Sequence, residues 1–455
     1  MRENSTSLPF GIKAGWAIGE LAIAAFVVLQ MAFMLYYCTE ALHIPPAIAG
    51  LALLIPRLLD AFADPLMGAI SDRTRSGLGR RRLYLLIGAP LLGLAFASVF
   101  FVPPEAPLVL RVGLLVAAFM ASNAAVTIYE VPYSAMAAEM TDSYKERTSL
   151  TGYKMFAARL GGVVCAFSAP LIFGSQNNLT DGFRLLGLCV GVFVLVTGLW
   201  AFFATAKAPR IEQTPQRFSV REEIAAVLEN KSFCSLWVAF LLQNLAIGAA
   251  ATTLIYFVTQ VMRVNPQQAG LFMASGGLVG LIATPIWMAV GRRIGKRVGY
   301  FCGLALVAAM AVPALFLAPG QANILLIVLI IAGAGDAATQ LFPNAMAPDT
   351  VEVDELKSGL RREGAIFGAW GFCRKLGMTG GAFLVSLALA AIHFVPGGAP
   401  EAQPSEALTG IRLIYAALPL GLWAATMLAF SRYDLTEARF EAIKAEIRAS
   451  AGGSR

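Results

Sequence analysis

Residues 57–82 read Arg57-Leu-Leu-Asp60-Ala-Phe-Ala-Asp64-Pro65-Leu-Met-Gly68-Ala-Ile-Ser-Asp72-Arg73-Thr-Arg75-Ser-Gly-Leu-Gly79-Arg80-Arg81-Arg82. They close an apolar stretch that opens near residue 46 and passes into a basic loop. A stretch of that length is a membrane span, because about 20 residues of helix cross a bilayer core. Three charges interrupt it. Arg57, Asp60 and Asp64 stand three and four residues apart, so they share one helical face. An ionised group at the centre of a span costs roughly 2.5 to 3.5 kcal/mol, so this face cannot meet lipid. It must meet other helices or a water-filled cavity, and the chain must be a bundle of spans.

The rest of the 455 residues agrees. The chain is 58% hydrophobic and 14% charged, against about a quarter charged in soluble domains, and its mean hydropathy is +0.69. Six spans are expected near residues 15–38, 46–70, 83–102, 108–138, 151–174 and 183–205, and six more near 232–261, 266–291, 298–317, 322–347, 364–393 and 408–430. The resulting domains are an N-terminal six-helix half (1–206), a linker (207–231), a C-terminal six-helix half (232–430) and a tail (431–455). Gly68-Ala-Ile-Ser-Asp72-Arg73 with Gly79-Arg80-Arg81-Arg82 is echoed by Gly291-Arg292-Arg293 with Gly295-Lys296-Arg297, each after the second span of its half. Such an echo suits the internal repeats of transporters.

Net charge is +7, and the Lys and Arg residues concentrate in the loops after spans two, four and eight. Thr39–Pro45, Pro103–Pro107 and Pro396–Ala407 carry none apart from His43, so the positive-inside rule puts both termini in the cytoplasm. The basic balance reads as membrane orientation, and no nucleic-acid module is present. The apolar stretch behind Met1–Lys13 is too long for a cleaved signal peptide, so the first span is expected to remain. In the linker, Ser219-Val-Arg-Glu222 offers a capping box. In the tail, Leu435, Phe440, Ile443 and Ile447 share a helical face, which would lie on the membrane surface or on cytoplasmic loops. The six cysteines lie singly in apolar stretches without CxxC spacing and read as reduced core residues.

The ionisable groups inside spans carry the functional reading. Two carboxylates one turn apart suit a cation or a shared proton. The rival is a structural ion pair of Arg57 with one Asp, but two acids exceed one base. Span four adds Thr127-Ile-Tyr-Glu130-Val-Pro132-Tyr133, which puts a hydroxyl and a carboxylate on one face. Asp60, Asp64, Thr127 and Glu130 therefore form a candidate oxygen site for Na⁺, and H⁺ would serve a carboxylate equally. Arg374 and Lys375 are adjacent and point apart, so Lys375 is taken as the group that reaches the cavity. Glu20, Asp336, Gln243 and Asn244 are further polar candidates, with interhelical packing as the rival reading. Tyr129, Tyr133, Tyr256 and Trp370 are candidates for stacking on a sugar ring, against a core role. His43 and His393 have no partner spacing for a metal, no P-loop occurs, and no nucleophile–base motif supports an enzyme.

The segment from Arg57 to Arg80 resembles the signature of the glycoside-pentoside-hexuronide cation symporters, the melibiose permease group of the major facilitator superfamily. Asp349-Thr-Val-Glu352-Val-Asp354-Glu-Leu-Lys357-Ser-Gly359-Leu-Arg361-Arg362-Glu363-Gly364 resembles that family's loop after span ten, and Phe372-Cys-Arg-Lys375-Leu its span eleven. With Glu130-Val-Pro132-Tyr133, the resemblance covers most of the chain. It implies an all-α integral membrane fold of 12 transmembrane helices in two pseudo-symmetric halves. It also implies a cation site at Asp60, Asp64 and Thr127, with Lys375 beside it. The residue matching Glu130 is an Asp that contacts sugar in the melibiose permease. The family's span-one acid falls on Ala24 here, with Glu20 one turn away, so a galactoside is not implied.

The function expected is symport of a sugar or glycoside with Na⁺ or H⁺ by alternating access, without a cofactor, in the cell inner membrane and as a monomer. The substrate set is Glu130, Lys375, Tyr129, Tyr133, Trp370, Glu20 and Asn244, with charge pairing by Arg57, Lys375 and Asp336. A cytoplasmic latch is expected from Asp72, Arg73, Arg80, Arg81, Asp349 and Glu352, with simple positive-inside anchoring as the rival reading of the arginines. The alternatives are a cation-dependent carrier of lysolipids or other amphiphiles, and a non-transporting sensor of the same fold.

Overall fold

The computed structural model describes residues 8–141, 143–209, 230–358, 363–435 and 439–443. The Ser219–Glu222 capping box, Gly359, Arg361, Arg362 and Ile447 lie outside them. Twelve helices are long and apolar enough to cross a membrane, and no strand occurs among the described residues. In chain order they are α1 (Phe10–Val28), α2 (Pro46–Arg73), α3 (Arg82–Val99), α4 (Leu108–Met140), α5 (Tyr144–Phe173) and α6 (Leu179–Ala204). There follow α7 (Lys231–Tyr256), α8 (Ala269–Ile294), α9 (Lys296–Ala314), α10 (Ala322–Met346), α12 (Glu363–Ala391) and α13 (Ser405–Ser431), with the short α11 (Asp349–Ser358), additional to the twelve, between α10 and α12.

The boundaries follow local chemistry. Pro46 opens α2 at the first helical position, where its missing N–H is no loss. The side chains of Asn178 and Asn230 accept the N–H groups of Thr180 and Phe233 and so cap α6 and α7. Gly295, at φ +81°, makes the one-residue break between α8 and α9, a left-handed conformation that costs glycine little. Helix α5 starts before the expected 151 because its first turns carry Lys145, Glu146 and Arg147, which an apolar criterion does not register.

A second internal repeat closes the spans Phe10–Ala41 and Ser232–Val261, to which α1 and α7 belong. Tyr36-Tyr37-Cys38-Thr39-Glu40-Ala41-Leu42-His43 matches Tyr256-Phe257-Val258-Thr259-Gln260-Val261-Met262-Arg263 position by position. Both segments widen into a π-helical turn, Tyr37–Ala41 and Phe257–Val261, and both exit through a residue at positive φ, His43 and Arg263.

The chain divides into two compact units. Unit 1 comprises Met1–Gln216, Val264–Ala274 and Leu389–Pro404, and unit 2 the remainder. In unit 1, α1 packs on α5 and α6, α3 on α4 and α6, and α2 on α4. Small residues permit this closeness. A Cβ on Gly93 of α3 would stand 2.6 Å from the Gly191 carbonyl oxygen of α6. In unit 2, α7 packs on α13, and α9 on α10 and α13. Its core joins Phe240, Tyr300, Phe342, Trp423 and Phe430 with Tyr433, Leu435 and Ile443, and Phe440 packs against it. The described part of the tail is therefore docked on its unit. Asp434 accepts from Ser232 Oγ at 2.7 Å and from Arg439. Burial works to raise its carboxyl, but these donors outweigh that and hold it below the usual range.

Outward faces are apolar. Cys189, Val192, Val196, Trp200 and Phe203 form one exposed stripe on α6, and Val298, Cys302, Ala305, Ala309 and Val312 one on α9. This corrects the core reading of Cys189 and Cys302, whereas Cys38, Cys165 and Cys373 are buried. A cysteine is apolar enough to sit on a face that a bilayer covers.

Candidate ion and solute site

The site grows from one stripe on α4. Asn123, Thr127, Glu130 and Ser134 recur at spacings of four, three and four, so they lie on one face over nearly half a bilayer thickness. Most of them receive a group from a neighbouring helix. Asn123 Oδ1 accepts from Arg57 of α2 at 3.3 Å and from Gln30 at 3.4 Å, while its own amide donates to the Phe119 carbonyl. Thr127 Oγ1 lies 2.7 Å from Asp60 Oδ1 and 3.1 Å from Asp64 Oδ1. Ser134 Oγ accepts from Lys154 of α5 at 2.8 Å. Lys154 Nζ is also 3.6 Å from Glu20 Oε2 of α1 and 5.4 Å from the Tyr133 ring centre. Glu130 is half-buried between Thr127 and Ser134 and makes no side-chain hydrogen bond or ion pair among the described residues.

The convergence at Thr127 has chemical content. One hydroxyl touches both carboxylates, and Asp60 is only 4% exposed. Two carboxylates and a hydroxyl within hydrogen-bond reach make an oxygen cluster of the kind that holds a hard cation. Arg57, one turn from Asp60, offsets part of the charge and is itself held by Asn123.

The tyrosines belong elsewhere. Tyr129 and Tyr133 are wholly buried, and their hydroxyls donate to the carbonyls of Gly19 and Trp16 on α1. Trp16 stacks on Tyr133 and donates back to its carbonyl. Both rings therefore weld α1 to α4 and present no open face to a sugar. Tyr256 is likewise fully buried.

The other candidates lie in unit 2. Trp370 stacks on Phe240 at 3.8 Å and donates to Asn344. Asn244 is buried, with its amide donating to Phe240 O and its Oδ1 without a hydrogen-bond partner. Gln243 is spent on packing, accepting from Tyr300 and donating to the Thr339 carbonyl. Asp336 is partly buried and accepts from Thr339. On α12, Lys375 is half-buried while Arg374 is exposed.

For the expected latch, the ion pairs join groups of one unit. Arg81 pairs with Asp72 at 2.8 Å and with Glu139 at 3.3 Å, and Arg80 Nε donates to Glu139 at 2.9 Å. Arg73 is exposed. Asp349 pairs with Lys296 at 2.6 Å, and one carboxylate oxygen of Glu352 is buried without a hydrogen bond.

Charged stripes enclosed within apolar helices, on a twelve-span frame, mark a transporter architecture. Residues 15–437 match the family model described as MFS/sugar transport protein. The chain belongs to that family. It is a multi-pass membrane transporter, not an enzyme. An uncharacterized symporter of Synechocystis is 27% identical over 98% of both chains. A glucuronide carrier protein homolog of Escherichia coli is 26% identical, covering 95% of this chain and 94% of its own. An inner membrane symporter of Escherichia coli is 26% identical over 92% and 91%. Among solved structures, a bacterial homolog of the human lysosomal transporter Spinster, inward-facing and unoccupied, superposes with TM-score 0.66 at 14% identity, covering 96% of each chain. A D-xylose-proton symporter gives 0.62 at 14% identity, covering 92% of this chain and 97% of its own. Both share the fold.

For a member of this family, four polar groups of the stripe went unsingled in the sequence reading: Gln30, Asn123, Ser134 and Lys154. Lys154 carried its own signal, a cation inside the expected 151–174 span, which also holds Arg159. Asn123 and Ser134 were legible only as extensions of the Thr127–Glu130 spacing. Glu139, the acceptor shared by Arg80 and Arg81, sits at the end of α4 where no span rule draws attention to it.

Proposed function

We propose that the protein is a cation-coupled symporter of a sugar or glycoside, with the ion held by Asp60, Asp64 and Thr127. The observation that carries this reading is the Thr127 hydroxyl within 2.7 and 3.1 Å of two aspartate carboxylates. The ion is Na⁺ or H⁺. Oxygen donors suit the first and the paired acids the second. Neutralising the acids lowers the cost of carrying a loaded site through a closed state. Each positive charge moved inward contributes about 2.3 kcal/mol per 100 mV. Glu130, one turn along α4, is the carboxylate left to grip solute hydroxyls, with Glu20 and Lys375 as the further solute groups. The protein works as a monomer with both termini cytoplasmic, and the latch of Asp72, Arg73, Arg80 and Arg81 with Asp349 and Glu352 forms in one state of the cycle.

The relatives named as symporters and as a glucuronide carrier homolog support a sugar-type solute. The deciding experiment is uptake of methyl glycosides, pentosides, hexuronides and lysolipids into proteoliposomes under separately imposed Na⁺ and H⁺ gradients. Accumulation of a saccharide under one gradient alone is expected and names the ion. Flux of lipid alone, or of nothing, overturns the reading.

A further inference from the structure

A cavity of about 690 Å³ opens within unit 1 where α2 ends and α3 begins. Among the described residues five guanidinium groups line it, from Arg73, Arg75, Arg80, Arg81 and Arg82, against two carboxylates, Asp72 and Glu139. Both carboxylates are already engaged by Arg80 and Arg81. Arg82 donates to the Leu78 and Phe202 carbonyls and lies 4.5 Å from the Phe202 ring centre. The described lining side chains carry a positive surplus of three. Met136 and Met140 of α4 supply an apolar wall.

Orientation in the membrane accounts for basic residues in this loop, but exposed side chains suffice for that. It does not account for Arg81 and Arg82 being only 9% exposed each around a concavity. The volume lies in the range of small-molecule pockets. Guanidinium forks match phosphate oxygens bidentately and hold them more strongly than neutral donors do.

We propose that this cavity binds a phosphate group, carried by a soluble phosphate ester or by an anionic lipid headgroup. The phosphate sits between Arg73, Arg75 and Arg82 and competes with Asp72 and Glu139 for Arg80 and Arg81. Binding therefore reaches the ion-pair network at the basic end of α2, independently of the ion site.

Two arms test it on the purified full chain. In the first, thermal unfolding is followed in detergent against glucose 6-phosphate, with chloride matching the ionic strength. In the second, native mass spectrometry counts phosphatidylglycerol against phosphatidylcholine retained from mixed nanodiscs. One arm is expected to respond, by a saturable rise of a few degrees or by selective retention of the anionic lipid, and so identifies the source. The double variant Arg73→Gln/Arg75→Gln, both exposed positions, is expected to weaken that response at least tenfold while unfolding at the same temperature without ligand. A response in neither arm, or an unchanged response in the double variant, overturns the proposal.

Discussion

At Asp60 and Asp64 the same residue type sits in two settings, one nearly sealed and one partly open, and a single threonine hydroxyl touches both. Changing either acid to Asn removes a charge from the proposed ion site. Asp60→Asn and Asp64→Asn are expected to insert and fold yet lose gradient-driven accumulation, read as uptake in proteoliposomes beside an unchanged gel-filtration profile. Normal accumulation in both would remove the ion from this site. Thr127→Val deletes the shared hydroxyl while keeping the volume. A hydrogen bond to a charged group contributes about 1.5 to 3 kcal/mol, so ion activation is expected to shift by about tenfold to a hundredfold. Thr127→Ser restores it, which separates the hydroxyl's role from packing. Asp60, Asp64 and Thr127 were legible in the sequence because charge within a span is costly and periodicity assigns its face. For Tyr129 and Tyr133 a core role stood beside sugar stacking, and the sequence did not show which helix they meet, because an aromatic ring carries no sign of its partner.

Among the elements, α3 and α6 meet where two glycines oppose each other. Gly93→Leu must part the helices, since any Cβ there meets the Gly191 carbonyl. Overpacking costs about 1 to 3 kcal/mol, so the melting temperature should fall by several degrees. Gly113→Leu on α4 faces open space and is the control, expected to change little. Equal melting curves would show that the contact yields freely. Helix existence was readable from apolar length alone, and so was the end of the span expected at 232–261, which closes with the π-helical turn at Val261. The start of α5 was not, because its first turns carry Lys145, Glu146 and Arg147.

For the whole molecule, the twelve-span plan followed from composition, and the docking of the tail did not. The spacing of Leu435, Phe440 and Ile443 gave an apolar face without naming what it covers, and the core of unit 2 is the answer. Ile443→Ala is expected to cost about 2 to 5 kcal/mol in that unit, read by thermal unfolding of the full chain. Asp434 adds a dependence on acidity. Its folded carboxyl lies below its unfolded value of about 3.9, so its contribution is complete above that value and disappears as pH falls through the lower one. Asp434→Asn should remove that acid-side difference and leave none between variant and parent at low pH.

The pairing of α2 with α4 also sets a schedule for synthesis. Thr127 lies 63 residues after Asp64. At about 5 to 20 residues per second, the helix that shelters the charges of α2 emerges roughly 3 to 13 seconds after them. For that interval the charged face of α2 has only its own side chains and the first span to turn toward, and its shelter is completed by a segment made later.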